Sequence, residues 1–126
     1  MIPKSVLVVD DMLSIRTVIT SLLRSSGYKT MEAGSGNLGF QLMQSNSFDL
    51  IISDWNMPGL TGAQFVSAIR TKDAVIPVVM VTAEAGRECI LEMRKIGVNG
   101  YILKPFKPQA LLDLVDRILT GKPKNP

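Results

Sequence analysis

The chain has 126 residues, 46% of them hydrophobic, and a net charge of +3. That is one domain's worth of chain with apolar side chains enough for a core, so it needs no covalent staple. With one cysteine, Cys89, and no histidine, an internal disulfide framework and a zinc-type site are both excluded.

The first apolar run, "SVLVV" at 5–9, is rich in β-branched residues and predicts a strand. Ile15, Val18, Ile19, Leu22 and Leu23 then recur at helical spacing from a start near Ser14, and Gly27 stands where a helix takes a left-handed last residue. "YKTME" at 28–32 is a weaker strand. Leu38 and Leu42 suit a helix over 36–45, although Gly39 weakens it by about 1 kcal/mol relative to Ala. "DLIIS" at 49–53 is a second strong strand, followed by the turn "NMPG" and a helix carrying Phe65, Val66 and Ile69 after Gly62. "PVVMV" at 77–81 is the third strong strand. Ile90, Met93 and Ile96 mark the next helix, which Gly97 stops, and "YILK" at 101–104 is the last strand. The final helix holds Leu111, Leu114, Val115, Ile118 and Leu119, with Pro108 in its first turn. Residues 121–126, "GKPKNP", read as a frayed tail, since a glycine and two prolines end the helix.

The three strong strands are continuous apolar runs rather than alternating ones, as in a parallel sheet covered on both faces by helices. Five strand–helix units in series predict an α/β fold with right-handed crossovers. In open sheets of this kind, chemistry gathers at the carboxyl ends of the strands.

Those ends are unusual here. Strand one runs into Asp10-Asp11, strand three into Asp54, strand four into Thr82-Ala83-Glu84 and strand five into Lys104-Pro105-Phe106. Strand two ends in Glu32-Ala33-Gly34, without obvious chemistry. Taken singly, each has an ordinary structural use: Asp10-Asp11 as turn or capping residues, Asp54 as a loop acid, Thr82 as a strand residue, Lys104 as a solvated lysine. Together they place three carboxylates, an amine and a hydroxyl on one rim. Three neighbouring carboxylates repel one another. That is costly unless a hard cation such as Mg²⁺ sits among them, bound through carboxylates and phosphate oxygens. An oxygen-only site with a carboxylate free to attack suggests acyl-phosphate chemistry, with Lys104 neutralising the phosphoryl oxygens and Thr82 donating to them.

"VVDD", "ISDWNMP", "VTAEA" and "GYILKPF", in this order, resemble the receiver domain of bacterial two-component response regulators. The likeness runs from about Ser5 to Thr120 and is strongest to the stand-alone chemotaxis members. It implies a doubly wound, flavodoxin-like fold: a five-stranded parallel sheet of order 2-1-3-4-5 with five helices. It implies that Asp54 accepts a phosphoryl group from a histidine kinase, and that Asp10, Asp11, Asp54 and the backbone carbonyl of Asn56 hold Mg²⁺, with Mn²⁺ as a substitute. Thr82 and Lys104 would stabilise the phosphoryl group, Lys104 held by a cis bond to Pro105. Tyr101 would turn inward as Thr82 moves, and Asn56 and Glu84 would tune the phosphate's lifetime. The resemblance further implies a partner face of Arg87, Ile90, Tyr101, Leu103, Phe106, Lys107 and Arg117. The expected partners are a chemotaxis kinase, a flagellar motor switch protein and a phosphatase.

The sequence departs from the family in three places: Thr61 stands for the usual acid before Gly62, Gly39 for an alanine, and Leu114 for a lysine common in chemotaxis members. Thr61 can still cap the following helix, whereas Leu114 weakens the case for the motor. A stand-alone phosphorelay carrier or phosphate sink is therefore the second reading. A Mg²⁺-dependent phosphatase with an Asp nucleophile is a third, but it needs a second Asp where Met12 follows Asp11. The scattered Lys and Arg residues argue against nucleic acid. No apolar run approaches the ~20 residues that span a bilayer, and the N-terminal apolar stretch is too short for a signal sequence. The expectation is a monomeric cytoplasmic switch, a single receiver domain over 1–126, rather than an enzyme.

Overall fold

The computed structural model describes residues 2–84 and 86–121. Strands β1 (Ser5–Val9), β2 (Lys29–Ala33), β3 (Leu50–Asp54), β4 (Val78–Thr82) and β5 (Gly100–Leu103) alternate with helices α1 (Leu13–Ser25), α2 (Gly36–Ser45), α3 (Gly62–Lys72), α4 (Arg87–Ile96) and α5 (Pro108–Thr120). The strands form one parallel sheet in the order β2-β1-β3-β4-β5. Alternate side chains of each strand feed opposite layers. Leu7, Val9, Ile51, Val78 and Met80 pack with Phe65, Val66 and Ile69 of α3 and Met93 of α4. Val6, Val8, Leu50, Ile52, Val79 and Val81 pack with Ile19 and Leu23 of α1 and with Leu111 and Val115 of α5. Both faces are thus buried, which is why these strands read as unbroken apolar runs; each such side chain contributes roughly 1.5–3 kcal/mol.

Four strands lie one residue from their expected positions. β2, β3 and β4 start and end one residue later and β5 one earlier. The ladder is the reason: it pairs Asp54 with Val81 and Thr82 with Leu103. Asp54 and Thr82 are therefore the last residues of strands, held by sheet hydrogen bonds, rather than the first of loops. Helix α1 begins at Leu13, one residue before its expected start.

Helix α2 is formed over the expected residues, and Ser35 caps it by accepting from the Leu38 N–H. Gly39 is buried, and a Cβ there would sit 3.0 Å from Val9 and 3.1 Å from Phe65. The glycine lets α2 lie close on the sheet, which offsets its poor helix propensity. Thr61 caps α3 in a full capping box with Gln64, so the missing acid leaves that helix start intact. Gly97 closes α4 and Gly121 closes α5, both at positive φ. Of the expected frayed tail, 122–126 lie outside the described residues. Among the described residues, no helix is long and apolar enough to cross a membrane.

At the amino ends of β4 and β5, Arg70 donates to the carbonyls of Asp73 and Ile76 from Nη1, and to the carbonyl of Gly97 and Oδ1 of Asn99 from Nη2. One guanidinium thus ties α3, the approach to β4 and the approach to β5.

Candidate functional site

The site lies at the opposite rim. Asp10 follows β1 and is 1% exposed; its N–H donates to the Ala33 carbonyl and its Oδ1 accepts from the Met12 N–H at 2.9 Å. Asp54 ends β3, is buried, and accepts from the Asn56 N–H at 3.3 Å. Asp11 is exposed. One oxygen from each of Asp10, Asp11 and Asp54 lies within 4.8 Å of the others. Lys104 reaches across from the end of β5, its Nζ 3.4 Å from Asp10 Oδ2 and 3.3 Å from Asp54 Oδ1. The bond from Lys104 to Pro105 is cis, as expected.

When all are ionised, three carboxylates outweigh the single amine. Burial pushes the Asp54 carboxyl above its ordinary value, and the Asp10 charge adds to this; Lys104 and the Asn56 N–H pull the other way without winning. Crowding of acids was the expected cause of strain, but desolvation is the larger one. Excess negative charge in a cluster of oxygen donors, with no histidine in the chain and Cys89 on α4, fits a hard divalent cation. The hydrophobic floor below it comes from Ile51 and Ile52, both fully buried.

Thr82 is fully buried at the end of β4, and its hydroxyl accepts from the Glu84 N–H at 2.9 Å. It is engaged with its own loop. Asn56 Nδ2 donates to Glu84 Oε1 at 3.1 Å. Gly62 fixes the loop after Asp54: a Cβ there would lie 2.6 Å from the Trp55 backbone, and the Gly62 N–H donates to the Trp55 carbonyl. Trp55 itself is buried in the layer under α2, α3 and α4. Tyr101 is 40% exposed.

The chain matches the family described as response regulator receiver domain over residues 6–116. It belongs to that family. The receiver is 42% identical over 116 residues to the chemotaxis protein CheY of Pseudomonas aeruginosa, a match covering 90% of this chain and 94% of that one. It is 40% identical to chemotaxis protein CheY-3 of Vibrio cholerae, over 90% of this chain and 89% of that one. The structure of Vibrio cholerae chemotaxis protein CheY4 superposes with a TM-score of 0.91 at 38% identity, covering 94% of this chain and all of the other.

Of the residues expected on the partner face, Arg87, Tyr101, Leu103, Lys107 and Arg117 are exposed and Ile90 is half-buried. Phe106 is half-buried too and packs against the layer under α1 and α5. Two shallow hollows flank Tyr101, one of about 150 Å³ with Ile90, Met93 and Arg94, the other of about 220 Å³ with Leu114 and Arg117.

Sequence reasoning missed the end of β2. Glu32 binds Arg16 Nε at 3.1 Å, and Arg16 Nη1 donates to the Asp10 carbonyl at 2.7 Å. The strand judged empty of chemistry therefore touches the acidic rim through α1.

Proposed function

We propose that this receiver is a phospho-acceptor switch of a two-component system, in which Asp54 takes a phosphoryl group from the phosphohistidine of a sensor kinase. The observation that carries this is Lys104 Nζ set between the carboxylates of Asp10 and Asp54. Asp10, Asp11, Asp54 and the Asn56 carbonyl would hold Mg²⁺, with Mn²⁺ as a substitute. Bound there, the ion supplies neutralising charge for the acids and the phosphoryl oxygens. An Asp54 oxygen attacks phosphorus, an O–P bond forms, and the P–N bond to the donor imidazole breaks, its nitrogen keeping the electron pair. Lys104 moves its charge from the two carboxylates to the new phosphoryl oxygens. The buried floor under Asp54 fixes the nucleophile in place, so the chain contributes positioning and electrostatics rather than turnover of a substrate.

The switch follows from what the phosphoryl group offers to Thr82. Its O–H exchanges the Glu84 carbonyl, 3.4 Å away, for a phosphoryl oxygen, the loop before α4 shifts, and Tyr101 turns inward. A hydrogen bond to a charged group is worth about 1.5–3 kcal/mol. Moving a population from 1:99 to 99:1 needs about 5.5 kcal/mol. Lys104 and the metal must therefore contribute the rest. Asn56 and Glu84 stand where they limit access to the acyl phosphate and so tune its lifetime.

The output we propose is chemotaxis, in the cytoplasm, through the surface of Arg87, Ile90, Tyr101, Leu103, Lys107 and Arg117 on a flagellar motor switch protein. Its support is the likeness to proteins named for chemotaxis along almost their whole length. Leu114, beside Arg117 in the second hollow, favours the alternative of a relay or phosphate sink, since it is apolar where a basic docking contact is expected. A small phosphodonor with Mg²⁺ should add one phosphoryl group to the intact chain, and Asp54→Asn should abolish the addition. Tighter binding of a motor switch peptide by the phosphorylated chain supports the motor; equal binding in both forms selects the relay.

A further inference from the structure

We infer that Arg16, aimed by Glu32, is a positioning residue for Asp11 in the metal-binding half of the rim; this rests on the metal reading given above. Asp11 is the acid with least support. Its carboxylate is exposed and has no hydrogen bond or ion pair among the described residues. Its place is therefore set by its backbone. The peptide that leads into Asp11 carries the Asp10 carbonyl oxygen, and Arg16 Nη1 donates to that oxygen at 2.7 Å.

The guanidinium is itself held. Its Nε donates to Glu32 Oε1 at 3.1 Å, with the two side chains only 17% and 32% exposed. A planar fork pinned at one donor aims the other, which an amine on a flexible stem cannot do. Gly34, just after β2, leaves the space: a Cβ there would lie 3.3 Å from Arg16 Nη1. Three features of the β2 end and α1 thus converge on one peptide oxygen between the two metal-binding acids. Groups that orient metal ligands typically cost 10–100-fold in affinity when lost.

The test is Mg²⁺ alone titrated into the full chain, followed by melting temperature and Trp55 fluorescence. Arg16→Lys, Arg16→Gln and Glu32→Ala should each weaken Mg²⁺ by about tenfold or more, and Glu32→Ala should add nothing in an Arg16→Gln background. A lower melting temperature with unchanged Mg²⁺ affinity would make Arg16 a structural brace and overturn the inference. Should Arg16→Gln not fold, Gly34→Ala, which crowds Nη1, must still weaken Mg²⁺; unchanged affinity there overturns the inference equally. If Asp11→Asn responds to Mg²⁺ as the parent does, the metal reading itself fails. If Asp11→Asn loses the response while Arg16→Gln keeps it, only the positioning role fails.

Discussion

Asn56 and Glu84 join side chain to side chain at 3.1 Å, tying the loop after β3 to the loop after β4 beside Asp54. The pair brings a further negative charge to a rim already rich in acids. Glu84→Gln keeps an acceptor for Asn56 and removes that charge. Phosphorylation by a small anionic donor should then be several-fold faster at low salt, with the gap closing as salt rises above ~0.5 M and screening shortens. A gap that persists at high salt would point to the bridge, not the charge.

Asp54 carries a cost that folding tolerates. Its carboxyl titrates above the ordinary aspartate value of 3.8, through burial first and the Asp10 charge second. From 3.8 up to the raised value, the folded chain binds more protons than the unfolded one, so stability falls as pH rises through that window. Above it, the ionised group remains a constant penalty. Asp54→Asn should raise the melting temperature at pH 7 in metal-free buffer by a few degrees. The gain should shrink as pH falls towards 3.8. No gain at pH 7 would mean that Lys104 outweighs the burial.

Thr82→Val keeps shape but leaves the Glu84 N–H without its acceptor. The expected loss is about 1 kcal/mol, visible in denaturant unfolding. Asp54 should still be phosphorylated, while the gain in partner affinity on phosphorylation falls. An undiminished gain would remove Thr82 from the switch.

Gly39→Ala sets helix propensity against space. Alanine gains up to about 1 kcal/mol in the helix, but its Cβ would press on Val9 and Phe65, both buried, and overpacking costs about 1–3 kcal/mol. The substitution should lower the melting temperature, and pairing it with Phe65→Leu should recover part of the loss. A stabilised single variant would show that α2 can back away from the sheet.

The fold was legible because its strong strands are buried on both faces, and so announce themselves as unbroken runs of Val, Ile and Leu. The rim was legible because Asp10, Asp54 and Thr82 each follow or close such a run, and Lys104 follows the weaker β5 at the same rim. Strand ends were off by one because ladder pairing, not hydropathy, decides whether Asp54 and Thr82 belong to the sheet. The capping box at Thr61 was readable from its spacing to Gln64. Arg16 with Glu32 was not. Those residues are sixteen apart in sequence and meet only because α1 crosses back over β1 and β2. Gly39 was misjudged for a related reason: propensity is local, while the Val9 and Phe65 side chains that need the room come from elsewhere in the chain.

Arg70 gives the molecule two unlike ends. Its four acceptors brace the amino ends of β4 and β5, while the carboxyl ends of the same strands carry Thr82 and Lys104, whose partners are polar and exchangeable. Amide protons near Val78 and Gly100 should therefore exchange with solvent far more slowly than those around Glu84.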